Sequence, residues 1–151
     1  MKKLLAVLFV LAMVVGLAAC GSSGDGRYDG APRGHIRAAR EAVRVVDNFL
    51  DRNMEALDAI AALREIQSGI GSMGDNIDIE AVVEGAAAGG GMEMLATIFV
   101  AGDIEMLTMA LQTYSMRRTT IEIDPSVAPP TLDSVLELRN QIAASLGIRL
   151  R

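Results

Sequence analysis

A run of apolar residues spaced three and four apart constrains the fold of this chain more than any other feature. The run extends from Ile36 through Val46, Leu50 and Leu57 to Ile60. This spacing is the period of an α-helix, and it predicts one amphipathic helix of about seven turns. Further apolar residues widen the stripe on one side, which is typical of a helix that packs against several neighbours.

The composition supports packed helices as the fold class. Hydrophobic residues make up 51% of the chain, yet only three Phe and two Tyr are aromatic, so the core must be aliphatic. Ala, Leu and Met have high helix propensities, and they can fill a core that lacks aromatic rings. We therefore expect a mainly α fold, a small bundle of about four helices in a single domain.

Glycines divide the middle of the chain. Residues 68–75 are expected to form an interhelical loop, although Gly69, Gly71 and Gly74 also match the letters of a dinucleotide-binding fingerprint. That fingerprint works only directly after a β-strand, and here a long helix precedes it, so a loop is the better interpretation. Residues 85–102 are expected to form a closely packed central helix, with a membrane-inserting or self-associating segment as the alternative.

The C-terminal third predicts two further helices and one short ladder. Asp103 is expected to begin a new helix that continues through Met116, and a last helix is expected to begin at Thr131 or Asp133 and to end near Leu146. Residues 119–123 alternate in polarity like a strand. Residues 148–151 are expected to pair with them as a short two-stranded ladder near the C-terminus.

The first 19 residues have the three-part layout of a secretory signal. Residues 1–3 carry positive charge, residues 4–15 form an apolar core too short to span a bilayer, and residues 17–19 lead to a cleavage site. The segment that ends at Cys20 resembles the lipobox of bacterial lipoproteins. The resemblance implies cleavage between Ala19 and Cys20 and attachment of lipid to the Cys20 thiol.

This resemblance predicts the organisation and location of the chain. Residues 1–19 are the signal, residues 20–34 are the lipidated cysteine and a flexible tether, and residues 35–151 are one helical domain. Gly21, rather than Asp, after the cysteine implies the outer membrane, facing the periplasm, in a Gram-negative cell. In a Gram-positive cell the anchor lies in the outer leaflet of the plasma membrane. The alternative is an unmodified Cys20, which would be a lone thiol in an exported chain.

The chain is short of the groups that catalysis requires. His35 is the only histidine, and Cys20, the only cysteine, is consumed by the lipid, so Ser-His, Cys-His and zinc sites lack support. The net charge of −5 becomes −7 once Lys2 and Lys3 leave with the signal, which disfavours nucleic acid as a partner. We therefore expect a protein that is not an enzyme and holds no cofactor.

Methionine offers one chemical alternative. Met92, Met94, Met106 and Met109 carry soft thioether donors that suit Cu(I). Methionine at helical spacing is more often adaptable core filler, particularly where aromatic residues are scarce. Two classes of function remain: an interaction or scaffolding lipoprotein that binds envelope proteins or itself, which we favour, and a carrier of a metal or a small apolar molecule.

Charged residues form a line along the expected long helix. The line is basic at its start and acidic at its end, the reverse of what the helix dipole favours. Three explanations are open: contact of the basic start with anionic lipid headgroups, antiparallel pairing of two copies about Val45 and Val46, and an ordinary solvated face. The line contains Arg33, Arg37, Arg40, Arg44, Asp47, Asp51, Glu55 and Asp58, and its central part from Arg37 to Glu55 is the predicted interaction surface.

Overall fold

Helices dominate the part of the chain that can be described. The computed structural model describes residues 27–71, 91–124, 126 and 129–148. These residues contain no strand, and the expected mainly α bundle is confirmed. The helices are α1 (Arg33–Leu50), α2 (Ala56–Ile70), α3 (Gly91–Ile123) and α4 (Asp133–Ser145).

The helices are arranged around a central pair formed by α1 and α3. α2 and α4 each pack against both members of this pair and not against each other, so they flank it on opposite sides. Near the start of both central helices, a Cβ on Gly30 would lie 3.4 Å from Glu93 Cα. Toward their C-terminal ends, the ring centroids of Phe49 and Tyr114 are 5.8 Å apart. The two central helices therefore run parallel, and a short loop after α1 returns the chain as α2.

The core is aliphatic, as the composition predicts. Each helix contributes fully buried side chains, including Val46 from α1, Leu63 from α2 and Ile142 from α4. α3 contributes the largest share, with Leu107 and Leu111 among its fully buried residues. Complete burial of one such side chain stabilises the fold by about 1.5–3 kcal/mol, so the inward side of α3 is a major source of stability.

The prediction of one long helix over residues 36–60 is wrong, because the chain turns in the middle of this range. α1 ends at Leu50, Arg52 adopts a left-handed conformation with φ of 60°, and α2 begins at Ala56. The apolar spacing continues across this turn, so periodicity alone could not reveal the break. Leu57, which the spacing assigned to the buried stripe, is 71% exposed.

The predictions of a helix start at Asp103 and of a two-stranded ladder are also wrong. α3 continues without interruption through Asp103 and through residues 119–123, which were expected to form a strand. The hydroxyl groups of Thr119 and Thr120 each donate a hydrogen bond to the backbone carbonyl four residues earlier, an arrangement that accommodates β-branched residues within a helix. Residues 149–151, most of the expected partner strand, lie outside the described residues.

Glycines end two helices close to the predicted positions, although residues 68–70 of the expected loop still belong to α2. Gly71 follows α2 with φ of 80°, and Gly147 follows the C-terminal end of α4 with φ of 66°. Both conformations favour glycine. α4 begins at Asp133, the second of the two predicted starts, and ends one residue before the predicted Leu146. Residues 72–90, which include half of the expected loop over residues 68–75 and part of the segment 85–102, lie outside the described residues. The described part of that segment belongs to the central helix α3.

Two substitutions distinguish the observed pair of helices from one long helix. Val46→Asp should lower the free energy of unfolding by about 3 kcal/mol or more, because an unpaired carboxylate would enter the core. Leu57→Asp should change it by less than about 0.5 kcal/mol, because this side chain is exposed. Urea denaturation followed by circular dichroism measures both values. Equal destabilisation by the two substitutions would contradict the turn between α1 and α2.

Candidate functional site

The first described residues are bound to the middle of α3. The carboxylate of Asp103, which is 0% exposed, accepts hydrogen bonds of 2.7 Å from the Arg27 guanidinium and from the Tyr28 hydroxyl. In the orientation of the Gln141 amide that satisfies both its oxygen and its nitrogen, the oxygen lies 2.6 Å from Arg27 Nη1 and accepts a hydrogen bond from it. We call these four residues, Arg27, Tyr28, Asp103 and Gln141, the latch.

The electrostatics of the latch indicate a structural role. Burial raises the pKa of Asp103, while the Arg27 charge and the Tyr28 hydrogen bond oppose that rise. Burial also raises the pKa of Tyr28, and the neighbouring carboxylate raises it further, so Tyr28 remains a hydrogen-bond donor. Arg27 occupies Oδ1 of Asp103 and Tyr28 occupies Oδ2. Because both oxygens are engaged, this carboxylate is poorly placed to act as a general acid or base.

The latch shortens the tether that was expected over residues 20–34. The guanidinium carbon of Arg27 lies 4.8 Å from the centroid of the Phe99 ring, and Gly30 lies against Glu93 nearer the start of α3. Gly30 has φ of 87°, which favours glycine at this close approach. The chain from Arg27 onward therefore belongs to the bundle and runs along α3 before α1 begins.

The latch is not evident from the sequence, because Asp103 has the pattern of a helix start. One signal could have revealed it. Within α3, Asp103 lies at helical spacing from Ala96, Val100 and Leu107, all of which are buried. An aspartate on that side of a helix must enter the core, and a buried carboxylate requires donors from elsewhere in the chain. The sequence does not show which donors, since Tyr28 lies 75 positions away.

The outward side of α3 is apolar and exposed. Met106, Met109 and Met116 are 41%, 51% and 65% exposed, and the half-buried Leu95 and Ile98 lie on the same side at helical spacing. Glu105 borders this surface, but the positions along its centre are uncharged. We call these five apolar residues, Leu95, Ile98, Met106, Met109 and Met116, the methionine face.

α3 has the length and hydrophobicity of a membrane span without being free to act as one. Among the residues described, Glu93–Ile121 is the one candidate span, with a mean hydropathy of 1.6 over its most apolar 18 residues. Half of its most apolar window is buried inside the bundle, and the Asp103 carboxylate lies within that buried half. α3 is therefore a core helix whose remaining side is apolar and exposed.

The described methionines among the four considered as metal ligands, Met94, Met106 and Met109, do not all come together. Met94 and Met106 are separated by 12 residues of continuous helix, a rise of about 18 Å, so they cannot bind the same ion. Met106 and Met109 are one turn apart on the methionine face, and the side chain of Met92 lies outside the described part of the chain. Within the described ranges no group of three His, Cys, Asp or Glu residues could hold a metal ion.

Half of the expected charge line survives in the structure. Arg33, Arg37, Arg40 and Arg44 are exposed along the outward side of α1, and none of them forms an ion pair with a described residue. These guanidinium groups lie three and four residues apart, so they form one continuous surface. We call these four residues the arginine ridge.

The acidic half of the line is dispersed. Asp47 accepts a hydrogen bond of 2.8 Å from Arg139 Nε of α4. Asp51 and Glu55 lie in the turn between α1 and α2, and Asp58 lies in α2. The predicted interaction surface from Arg37 to Glu55 is therefore not a single helical surface.

The proposed pairing axis of two copies is buried. Val45 and Val46 are 8% and 0% exposed inside one bundle. Antiparallel pairing about these residues lacks the charge complementarity that it requires, because the acidic half of the line does not continue along α1.

The methionine face and the arginine ridge point in opposite directions. α1 and α3 contact each other through their buried sides, which carry Val46 and Leu107. The exposed side of each helix therefore points away from the other. The latch lies on α3, so the N-terminal segment joins the bundle on the helix that carries the methionine face.

A cleft of about 400 Å³ opens between α1 and α2. Arg37, Glu41 and Glu65 are among its lining residues, and none of the lining residues is a methionine. A carrier of a small apolar molecule requires an enclosed pocket lined by apolar side chains such as methionines and aliphatic residues, and this open cleft lacks that character.

His35 lies in the first turn of α1, beside the end of α2. Burial lowers its pKa, and an interaction with the backbone of Ile70 opposes that shift. Its Nε2 atom is buried and has no hydrogen-bond partner among the described residues. His35 is therefore neutral at pH 7 and packs between the two helices.

Comparison of the chain with protein-family models, with curated proteins and with solved structures finds no match. The latch, the methionine face and the arginine ridge are thus the features from which a function can be inferred.

Removal of a single hydroxyl tests the latch. Tyr28→Phe should lower the free energy of unfolding by about 1.5–3 kcal/mol, because Asp103 Oδ2 would stay buried without its donor. Tyr114→Phe is the matched control. It keeps the edge-to-face contact with Phe49 and removes a hydroxyl that donates to no described residue, so the change should be below about 0.5 kcal/mol. Denaturant titration that gives equal, small effects for both variants would contradict the latch.

Proposed function

We propose that this chain is a lipid-anchored envelope protein that acts by binding rather than by catalysis. Lipid on Cys20 holds the bundle at a membrane, and the arginine ridge binds an acidic surface of a partner protein. The observation that carries the proposal is the ridge itself. It places four exposed arginines, unpaired with any described residue, on one side of a chain whose net charge is −5.

The fold gains nothing from the ridge. The core side of α1 is formed by Ala and Val, and the arginines do not contribute to it. Like charges three and four residues apart on a helix repel by a few tenths of a kcal/mol per pair, and Arg33 at the start of α1 also opposes the helix dipole. An external acidic partner would compensate for both costs.

The ridge suits carboxylates in particular. Arg33 and Arg44 are 11 residues apart, so the guanidinium groups extend over about 16 Å of helix. Each guanidinium has a planar set of N–H donors that can contact a carboxylate in a bidentate arrangement. A row of acidic side chains on a partner helix or strand would complement this surface and would also speed association electrostatically.

The position of the lipid anchor favours a protein, rather than lipid headgroups, as the partner of this ridge. Cys20 lies seven residues before Arg27, so at most about 25 Å of extended chain separates the lipid from the latch. The latch holds that chain on α3, whereas the ridge points away from α3. The ridge thus lies on the side of the bundle that faces away from the membrane. Other envelope proteins can reach it there.

Charge reversal on the ridge tests the binding proposal. Arg37→Glu/Arg40→Glu/Arg44→Glu should reduce crosslinks between a photoreactive residue at position 41 and envelope proteins by about tenfold or more, since each lost charge pair weakens binding. The matched control, Arg52→Glu/Arg64→Glu/Arg118→Glu, makes the same change in net charge at exposed positions elsewhere and should preserve the crosslinks. Equal losses in the two variants would contradict a specific role for the ridge.

The anchor is measured in the same cells. The parent chain should incorporate radiolabelled fatty acid, and Cys20→Ser should abolish incorporation and leave the signal uncleaved. The ridge variant should remain labelled, because its N-terminus is unchanged. Fatty acid in the Cys20→Ser protein would refute the lipoprotein assignment independently of the crosslinking result.

A further inference from the structure

We propose that the methionine face of α3 rests on the surface of the phospholipid bilayer to which Cys20 is anchored. This inference builds on the proposed function in one respect, the lipid at Cys20. It assigns the bundle a fixed orientation, with α3 against the membrane and the arginine ridge of α1 directed outward.

The face requires an apolar neighbour. Leu95 and Met116 are 21 residues apart, so the face extends over about 31 Å of helix. Its three methionines are each more than 40% exposed. Apolar surfaces of this length on a helix commonly mark a contact with a protein or a membrane. A helix that is apolar on all sides is normally enclosed, and the described residues enclose only one side of α3.

The position of the anchor identifies the neighbour as the bilayer. Arg27 stacks on Phe99, and Phe99, Met106 and Thr113 follow one another at seven-residue spacing along one line of α3. The N-terminal segment therefore reaches the bundle at the edge of the methionine face. At most about 25 Å of chain separates Cys20 from Arg27, so the lipid holds this edge close to the headgroups.

Tethering makes a weak surface contact sufficient. A face attached to the membrane through a short chain experiences a high local concentration of lipid, so modest intrinsic affinity still gives nearly complete occupancy. Methionine suits such a surface, because its side chain is flexible and apolar. Arg117, which is exposed, follows Met116 at the edge of this face and is available to anionic headgroups.

The contact is shallow and parallel to the bilayer plane. The inward side of α3 contains Leu107 and Leu111, both fully buried in the bundle, so the helix cannot leave the core to cross the membrane. Interfacial helices bury their apolar side about 5–10 Å into the headgroup and acyl boundary, which is a depth that side chains such as Met109 can reach.

The test uses the lipidated mature protein in vesicles of phosphatidylethanolamine and phosphatidylglycerol. Because acylation blocks Cys20, Met109→Cys provides a single free thiol for an environment-sensitive fluorophore. Arg40→Cys provides the matched label on the opposite side of the bundle. Lipids with a nitroxide near the top of the acyl chain should quench the label at position 109 at least about threefold more than the label at position 40. The emission of the label at position 109 should also be blue-shifted.

Other results would overturn the inference in distinguishable ways. Water-like emission at position 109, or stronger quenching at position 40, would show that α3 does not face the bilayer. A dry label at position 109 that lipid nitroxides do not quench, together with disulfide-linked dimers of unlabelled Met109→Cys, would show that a second copy covers the face.

The anchor is assessed separately in the same sample. Mass spectrometry of the N-terminal peptide reports whether Cys20 carries acyl chains. An unmodified Cys20 would refute the proposed function, and the Met109→Cys protein with Cys20→Ser would then report on contact between the face and the same vesicles. Quenching at position 109 in that protein would support the membrane contact alone, and its absence would overturn it.

Discussion

A carboxylate in the centre of an aliphatic core must be supplied with hydrogen-bond donors, because a buried and unpaired charge costs several kcal/mol. In this bundle Asp103 holds that position, and its donors come from Arg27 and Tyr28, which precede the first helix. The N-terminal segment is thereby bound to the middle of α3. Desolvation is the largest influence on the pKa of Asp103 and raises it, so the latch must be well formed to keep this group in the core.

This attachment connects the fold to the proposed function. If lipid is attached at Cys20, the latch determines which side of the bundle lies nearest the membrane. α3 then serves two purposes: its inward side builds the core and its outward side provides an apolar surface. α1 lies opposite and carries the arginines away from that surface. The two exposed surfaces can therefore engage a membrane and an acidic protein at the same time.

Hydrophobic periodicity and composition were sufficient to predict the helical bundle, because core packing depends on local spacing. Val46 and Ile60 are buried as the spacing predicts, and α4 begins at one of its two predicted starts. The turn after Leu50 could not be predicted, since no glycine or proline marks it and Arg52 itself adopts the left-handed conformation. The strand-like pattern at residues 119–123 was overridden by the continuity of α3.

The functional surfaces were only partly predictable. The arginines of the ridge follow from helical spacing, but the acidic residues were placed on the same line because the turn was missed. Met106 and Met109 were recognised as soft ligands or core filler, whereas their exposure on the outside of α3 depends on how the other helices pack. The latch depends on contacts between residues about 75 positions apart, which no local pattern encodes.

The attachment of residues 27–32 to the bundle is tested most directly by amide hydrogen exchange. The Ala31 amide donates to the Tyr28 carbonyl at 3.1 Å within the segment that the latch holds. We expect this amide to be protected in the parent protein and to lose protection in Asp103→Ala, while the amides of α1 stay protected in both proteins. Exchange of the Ala31 amide at the rate of an unstructured peptide in the parent protein would contradict the attachment.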